Sequence, residues 1–439
     1  MKEARKNDKL YANSVWHHEN KGLVIYMHGN GHPINAGHPH GMGHPGGHPH
    51  GKGHPGGHPG GAAAIDYNEN PFIVIWEVTR ACQLKCVHCR ADAQLTPDPR
   101  ELNHEEGLNL IDQIYDMNNP MLVFTGGDCM MREDLFELAD YAVKKGMRVS
   151  MVPSATANVT KEKMIRAKEV GLSRWGFSLD GPTPEIHDQF RGTPGSFDLT
   201  VEKIRELVEL GMPLQINTVI SRYNYDHLEE MAKLVEELGA IMWYIFLLVP
   251  TGRGQEDACI TPAEHEKVFR WLYDLSKTAP FDIKTTASQH YRRVVFQQKA
   301  REHVDGVDKH EINYEDTLTK DMASKIDGLK RAPKGVNDGV GFIFVSHIGE
   351  VLPSGLLPIV VGNVREKSLA EIYRESPVLK ELRNPDLYKG KCGVCEFRHV
   401  CGGSRSRAYG VTGDYLESEP YCVYIPEAMR KKAKEPVEA

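Results

Sequence analysis

Residues 71–89 read PFIVIWEVTRACQLKCVHC, an apolar, β-rich run followed at once by three cysteines. The run from Pro71 to Thr79 predicts a buried strand, because short apolar runs bounded by turn residues are typical of one. Cys82, Cys86 and Cys89 have the spacing C-x3-C-x2-C and fall in the loop after this strand. Three thiolates so close together can ligate three irons of a [4Fe–4S] cube and leave the fourth iron without a protein ligand.

An iron without a protein ligand is where a substrate or cofactor binds, whereas a purely electron-carrying cluster normally has four thiolates. The alternative is a zinc site made by these three cysteines and His88. Zinc sites usually pair one C-x2-C with a distant second pair. The spacing therefore favours the iron–sulfur cluster.

Outward from this loop, strand and helix patterns alternate from about residue 70 to residue 280. Helices with capping signals begin after Asn103, with Glu106 three residues on, and after Thr261. Six strand–helix units imply an α/β fold with a parallel sheet and right-handed crossovers, and they fall short of a closed eight-stranded barrel. We expect an open, partial (β/α)6 barrel whose chemistry lies in the loops at the carboxyl ends of its strands. After the first, the predicted strands are Met121 to Gly127, Arg148 to Ser154, Arg174 to Asp180, Pro213 to Ile220 and Ile241 to Val249.

Composition narrows the class of protein. The 439 residues are 40% hydrophobic and carry a formal net charge of -7, so there is no basic footprint for nucleic acid. The longest apolar run, Ala240 to Val249, is half the ~20 residues of a bilayer span, and no signal peptide is visible, so we expect a cytoplasmic protein without a membrane span. In that compartment clustered cysteines indicate metal ligation, while the isolated Cys129 and Cys259 are expected to be ordinary buried thiols.

Residues 1–69 form an N-terminal segment unlike the rest. Its tract 28–61 repeats Gly-His-Pro, and eleven of the 21 histidines lie between His17 and His58. So much Gly and Pro with few large apolar side chains predicts a disordered arm. Because neutral imidazole binds divalent metals, the arm is either a metal-handling segment or a His-rich spacer.

A second cysteine group lies near the other end of the chain. We expect residues 70–296 to form the barrel, 297–338 a polar connection, 339–425 a small second domain and 426–439 a charged tail. The second domain contains Cys392, Cys395 and Cys401 with the spacing C-x2-C-x5-C, and then Cys422. Four thiolates suffice for a fully ligated auxiliary [4Fe–4S] cluster suited to electron transfer, and the alternative is a structural zinc site.

The C-x3-C-x2-C loop after strand one, with FTGGD at the end of strand two, resembles the radical S-adenosylmethionine (SAM) superfamily. The resemblance covers roughly residues 70 to 280. It implies that the amine and carboxylate of SAM chelate the open iron. It further implies that an electron, from a donor such as ferredoxin or flavodoxin, cleaves SAM to a 5′-deoxyadenosyl radical that abstracts hydrogen from the substrate.

The resemblance also assigns roles to single residues. Gly126, Gly127 and Asp128 match the strand end that holds the ammonium group of SAM, with Asp in place of the commoner Glu. Arg191 matches the arginine that pairs with the SAM carboxylate, a role suited to a bidentate guanidinium. The remaining predicted polar contacts to SAM are Ser178, Asp180 and Asn217, with the backbone near Val249.

These polar residues have alternative explanations within the fold. Ser178 and Asn217 could be hydrogen-bonded polar groups of the core, and Asp180 and Arg191 could form a structural ion pair.

The second cysteine group resembles the SPASM/Twitch extension of the same superfamily. Full SPASM domains carry more cysteines and two auxiliary clusters. Here Ser354 and Arg405 occupy positions where the fuller domain has ligands. The resemblance therefore predicts the reduced, Twitch-like form with one auxiliary cluster.

The start IWEVTRAC and the ending CGGSRSRAY resemble the tetrapyrrole side-chain branch of the superfamily, which serves haem and haem d1 biosynthesis. The resemblance implies an oxidoreductase or lyase that abstracts hydrogen from a propionate or acetate side chain, with loss of a carbon fragment. His290, His347 and His399 are candidate ligands for a tetrapyrrole iron.

Two other functions stay open. One is a maturase that crosslinks or epimerises a ribosomal peptide, although the N-terminal arm takes the place of a folded leader-binding domain. The other is a non-catalytic metal-binding or electron-carrier protein, which leaves the open-iron spacing and the GGD sequence unexplained.

Overall fold

The computed structural model describes residues 65–302, 313–329 and 331–432. The His-rich arm predicted to be disordered lies outside these residues, and its metal binding stays a prediction. The strands of the described residues are β1 (Ile73–Glu77), β2 (Met121–Thr125), β3 (Val149–Met151), β4 (Arg174–Ser178), β5 (Leu214–Ile220), β6 (Met242–Leu247), β7 (Asp282–Thr286), β8 (Phe342–Val345), β9 (Glu350–Leu352) and β10 (Gly362–Asn363).

The α-helices of the same residues are α1 (His104–Asp116), α2 (Leu135–Lys144), α3 (Lys161–Val170), α4 (Pro184–Arg191), α5 (Ser196–Glu209), α6 (Leu228–Glu237), α7 (Pro262–Thr278), α8 (His290–Glu302), α9 (Ala323–Asp327), α10 (Leu369–Glu375), α11 (Pro377–Leu382), α12 (Gly390–Gly393), α13 (Arg405–Thr412) and α14 (Glu427–Lys432). Single 3-10 turns occur at Cys129–Met131, Tyr225–His227, Glu256–Ala258, Glu315–Thr317 and Pro385–Leu387. No helix in the described part of the chain combines the length and apolarity needed to cross a membrane.

The two predicted helix starts form reciprocal capping boxes. The Asn103 side chain accepts the Glu106 N–H at 2.9 Å, and the Glu106 carboxylate accepts the Asn103 N–H at 2.8 Å. Thr261 and Glu264 repeat this exchange at the start of α7. Each box satisfies donors that the first turn of a helix leaves without a backbone partner.

One sheet runs through the described residues, in the order β10-β9-β8-β1-β2-β3-β4-β5-β6-β7. Strands β1 to β7 are parallel to their neighbours, with helices between most of them, so the predicted α/β partial barrel is confirmed. Two pairings were not predicted: β7 adds a seventh parallel strand, and β8 pairs in parallel with β1. The second pairing makes the hairpin of β8 and β9 part of the barrel sheet.

Side chains alternate between the two faces of this sheet, as the period of a strand requires. The outward face carries the fully buried Trp76, Trp175 and Trp243, which pack in the main hydrophobic core. Helix α1 lies so close to this layer that a Cβ on Gly107 would be 2.9 Å from the Trp76 ring. The inward face, with residues such as Gly176 and Gln215, surrounds a central cavity.

The described part of the predicted polar connection packs against the amino-terminal ends of the strands. Asp282 at the start of β7 accepts the backbone N–H groups of Met322 and Ala323, each at 3.0 Å. Arg174 at the start of β4 forms an ion pair with Asp327, whose side chain is fully buried. These contacts close the barrel at the end opposite the cysteine loop. The predicted domain boundaries stay predictions.

Tyr373 of α10 holds the segment before β1 against the second domain. Its fully buried hydroxyl donates to the Tyr67 carbonyl at 2.8 Å and accepts the Gly341 N–H at 3.3 Å. Removing the hydroxyl leaves two buried backbone groups without a partner. Such groups cost about 1–3 kcal/mol.

We therefore expect Tyr373→Phe to lower the free energy of unfolding by about 1–3 kcal/mol. Tyr115→Phe, in a partly exposed ring on α1, is the matched control and should change it by less than about 0.5 kcal/mol. Chemical denaturation followed by circular dichroism measures both. Equal midpoints for the two variants would contradict this role of Tyr373.

Candidate active site

The first cysteine loop is fixed by backbone hydrogen bonds to its surroundings. The Cys82 N–H donates to the Gln94 carbonyl at 2.7 Å, and the Val87 N–H donates to the Phe190 carbonyl at 3.0 Å. His88 stacks on Phe190 with a ring separation of 4.0 Å. The loop is thus anchored at its start and against the end of α4.

The glycines after β2 allow a close approach between that strand end and the cysteine loop. A Cβ on Gly127 would lie 2.5 Å from the Ala81 carbonyl oxygen, so a larger residue would push the two segments apart. The Asp128 N–H donates to the same carbonyl at 2.7 Å, and the Gly127 N–H donates to the Thr79 carbonyl at 2.9 Å. The GGD sequence therefore sets the position of the residues just before Cys82.

The thiols of this loop suit a metal cluster. Cys82 Sγ accepts the Leu84 N–H at 3.4 Å, and Cys86 Sγ accepts Arg191 Nη1 at 3.6 Å. Hydrogen bonds to sulfur are a common feature of iron–sulfur sites. Burial raises the pKa of Cys82, so cluster binding must displace a proton from this thiol.

Arg191 connects the loop to the end of β4. Its guanidinium pairs with the carboxylate of Asp180, whose other oxygen accepts the Val219 N–H at 2.7 Å. Burial raises the pKa of Asp180, and the Arg191 guanidinium opposes that rise. The Arg191 Nε is buried without a hydrogen-bond partner in the described structure, which leaves one donor for a bound carboxylate.

Asp128 differs in placement from the glycines before it. Gly126 and Gly127 line the central cavity, whereas the fully buried Asp128 is not part of its lining. The Asp128 carboxylate accepts the Thr156 hydroxyl at 2.7 Å and the Met130 N–H at 3.1 Å. Its side chain thus fixes the turn after β2. Asp180 is likewise buried behind the cavity wall.

The central cavity extends from the cysteine loop to the second domain. It measures about 2790 Å³ including the open space at its mouth. Cys82, Cys86 and Cys89 line it together with the predicted SAM contacts Ser178 and Asn217. The last two are register neighbours on β4 and β5. From the second domain Phe344, Ser354 and Leu356 reach the same cavity.

The second cysteine group surrounds a smaller cavity of about 390 Å³. Cys392, Cys395, Cys401 and Cys422 all line it. The Glu419 N–H donates to Cys392 Sγ at 3.2 Å. These four thiols and their hydrogen bonds fit a fully ligated cluster.

Neither group converges as a single ion would require. In the described residues, no set of three or more His, Cys, Asp or Glu side chains could hold one metal ion. A polynuclear cluster distributes its ligands around a cube rather than around one point.

Arg405, which the predicted resemblance to SPASM domains places at a missing ligand position, contacts one of the four cysteines. Its fully buried guanidinium donates to Cys392 Sγ at 3.6 Å and to the Glu417 carbonyl at 2.7 Å. The motif count identified Arg405 as a missing ligand and gave no signal that it would contact another one.

The first turn of α8 separates the two cavities. Gln289 and Arg292 line the central cavity, while His290 and Arg293 line the smaller one. Arg292 Nη1 donates to the carbonyl of Val400, the residue before Cys401, at 3.3 Å. The start of α8 thus contributes to the walls of both cavities. Sequence reasoning missed this wall, because β7 and the start of α8 lie in residues 282–293, which are mostly polar.

The three histidines considered as ligands for a tetrapyrrole iron do not line the central cavity. His290 is buried beside His265, and His347 Nδ1 lies 2.9 Å from Glu77 Oε1. His399 is 57% exposed. The histidine among the described lining residues of the central cavity is His88.

Residues 76–235 match the radical SAM superfamily. The chain is 40% identical over 400 residues to the AdoMet-dependent heme synthase of Oleidesulfovibrio alaskensis, a match that covers 91% of this chain and 98% of that protein. The chain belongs to the radical SAM superfamily. This radical SAM enzyme is also 30% identical over 375 residues to the Fe-coproporphyrin III synthase of Methanosarcina barkeri, covering 81% of this chain and 88% of that one.

A solved structure shares the fold. Streptococcus suis SuiB bound to S-adenosylmethionine matches with a TM-score of 0.60 at 13% identity, over 81% of this chain and 78% of that chain. The predicted superfamily and its tetrapyrrole branch are therefore confirmed, and the family implies SAM and a [4Fe–4S] cluster.

The pairing of Arg191 with Asp180 generates a prediction. Arg191→Gln should lower the free energy of unfolding by about 3–5 kcal/mol, because it leaves a buried carboxylate without its partner. The double variant Asp180→Asn, Arg191→Gln should recover much of that loss. Denaturant titration of the wild type, both single variants and the double variant gives the coupling energy. A double variant no more stable than Arg191→Gln would contradict the ion pair.

Proposed function

We propose that this radical SAM enzyme is an AdoMet-dependent heme synthase that converts propionate side chains of iron coproporphyrin III into the vinyl groups of heme. The observation that carries the proposal is the match to an AdoMet-dependent heme synthase along 98% of that protein's length. A relative named Fe-coproporphyrin III synthase suggests the substrate. Iron coproporphyrin III and heme differ only in two side chains, which are propionates in the first and vinyls in the second.

The residues at the carboxyl ends of the strands would hold the cofactors. Cys82, Cys86 and Cys89 would ligate the SAM-binding cluster, and Cys392, Cys395, Cys401 and Cys422 the auxiliary one. When bound, the first cluster supplies the electron that cleaves SAM to the 5′-deoxyadenosyl radical, and the second accepts an electron.

The Arg191 Nε, buried without a hydrogen-bond partner in the described residues, would pair with the SAM carboxylate, and the backbone of Gly126 and Gly127 in the cavity wall would hold its ammonium group. Ser178 and Asn217 line the wall where the ribose would lie. Asp128 and Asp180 act as positioning residues, because the first fixes the turn after β2 and the second holds Arg191.

The substrate step balances as follows. A hydrogen atom leaves the propionate carbon next to the ring, the bond to the carboxylate carbon breaks, and carbon dioxide departs as the vinyl double bond forms. One electron is left over for each propionate. The oxidation makes the enzyme an oxidoreductase, and the loss of carbon dioxide adds lyase character.

The central cavity suits a flat, apolar ring with charged side chains. Ile75, Phe342, Phe344 and Leu356 give it apolar walls, and several guanidinium groups line it. Its wall at α8 is shared with the second cysteine site, so an electron released by the substrate has a short route to that site. We further propose ferredoxin or flavodoxin as the electron donor and the cytoplasm as the location, because the free thiols must stay reduced.

The direct test is anaerobic turnover of the reconstituted, reduced enzyme with SAM and iron coproporphyrin III. We expect 5′-deoxyadenosine formation to rise with the tetrapyrrole present. Mass spectrometry should show the loss of carbon dioxide and two hydrogen atoms for each converted propionate. Slow SAM cleavage that the tetrapyrrole does not stimulate would overturn the heme synthase proposal and direct the search to peptide substrates.

Single cysteine variants should distinguish the functions of the two cysteine sites. Wild-type enzyme should bind about eight iron atoms per chain, which corresponds to two cubes of four irons. Cys86→Ala should abolish SAM cleavage, whereas Cys395→Ala should bind about half the iron, still cleave SAM and fail to complete the tetrapyrrole. Cys129→Ala, at a buried thiol outside both cavities, is the matched control. Iron analysis showing about four irons in the wild type would contradict the auxiliary cluster.

A further inference from the structure

The charged side chains that line the central cavity are almost all cationic. Among its described lining residues the single acid is Asp338, which accepts the Ser406 N–H at 2.9 Å and the Ser354 hydroxyl. The cations are Arg90, Arg174, Arg191, Lys284, Arg292 and Arg331. A cavity with this imbalance favours an anionic ligand.

Four of these cations are already neutralised by acids of the fold. The ion pairs are Arg90 with Glu77, Arg174 with Asp327, Arg191 with Asp180, and Arg331 with Asp282 and Asp321. Lys284 and Arg292 form no ion pair in the part of the chain that the structure describes. Besides the Arg191 Nε already assigned to SAM, they are therefore the lining cations with charge left for a ligand.

Lys284 lies on the inner face of β7. It is the register neighbour of Tyr244 on β6, which in turn pairs with Asn217 on β5, so it shares a row of the barrel wall with a predicted SAM contact. Burial, together with the nearby Arg331 and Arg174 guanidiniums, lowers the pKa of Lys284 to about 8, although the Asp321 and Asp282 carboxylates oppose this shift. An ammonium group placed among like charges is costly to keep in an empty cavity. A bound anion would remove that cost.

Arg292 is presented from the neighbouring helix α8. Its guanidinium donates to the carbonyls of Val336 at 2.6 Å and Val400 at 3.3 Å, which fix its position without neutralising it. Arg292 and Lys284 both line the central cavity, one from α8 and the other from β7.

We propose that Lys284 and Arg292 form a carboxylate-binding subsite for the propionates of the tetrapyrrole, an assignment that rests on the proposed function. The lysine supplies a compact charge and the arginine a planar pair of donors, and each is suited to a carboxylate. The subsite orients the ring from the β7 side of the barrel, next to the wall shared with the second cysteine site.

The test is equilibrium binding of iron coproporphyrin III, followed by absorbance, to the reconstituted enzyme. Lys284→Met should raise Kd roughly ten- to a hundredfold, the loss expected for a charged hydrogen bond. Lys284→Arg should stay within a few-fold of the wild type. Lys325→Met, which removes an exposed lysine of α9, is the matched control and should leave Kd unchanged.

Two further measurements, binding of an ester and the melting temperature, distinguish recognition of the substrate's charge from a structural effect of the substitution. The tetramethyl ester of the same iron porphyrin has no carboxylates, so Lys284→Met should bind it as tightly as the wild type does. In the absence of tetrapyrrole the Lys284→Met variant should melt at or above the wild-type temperature, because an unpaired charge has been removed. Lys284→Gln serves the same purpose if the Met variant fails to fold.

An unchanged Kd for the free acid in Lys284→Met, with a wild type that binds and converts it, would overturn the subsite alone. Equal weakening toward the free acid and the ester would overturn it as well. A wild type that neither binds nor converts iron coproporphyrin III would overturn the proposed function, and the subsite with it.

Discussion

β1 pairs with two strands at once, and the position of the first cysteine loop beside the central cavity depends on this pairing. β1 lies between β2 and β8, parallel to both, so residues 339–425, the predicted second domain, continue the barrel sheet. The first cysteine loop follows β1 directly, and Phe344 of β8 faces the same cavity. Parallel strands bring their carboxyl ends to one edge, and the loops that carry the chemistry of such sheets gather there. The shared sheet therefore gives the cysteine loop and the second domain a common cavity.

Close contacts position the first cysteine loop and the second group of thiols around the central cavity. The glycine contact between Gly127 and Ala81 sets the cysteine loop against β2, and Arg191 joins that loop to β4. On the other side, one helical turn of α8 divides the central cavity from the second group of thiols. The proposed oxidation, which takes a hydrogen atom and an electron from one substrate, would need both sites close to that substrate. The first cysteine group lines the central cavity, and the second group lies on the other side of the wall formed at the start of α8.

Much of this could be predicted from the sequence, for identifiable physical reasons. Apolar strands that alternate with capped helices predicted the parallel barrel, and the cysteine spacings marked both thiol groups. The sequence did not show that β8 would pair with β1, because register between distant strands depends on tertiary packing. It also missed β7, because DIKTT has a single apolar side chain, Ile283, and gives little strand signal. Lys284 is charged because it faces a cavity rather than a packed core, and the same placement makes it a candidate for binding substrate.

Transfer of a labelled hydrogen atom tests the central claim most directly. The measurement uses iron coproporphyrin III deuterated at the propionate carbons next to the ring, under single turnover with SAM. The proposed function predicts deuterium in the 5′-deoxyadenosine that is released, together with a vinyl-containing product. Unlabelled 5′-deoxyadenosine formed at the same rate with and without the tetrapyrrole would contradict it.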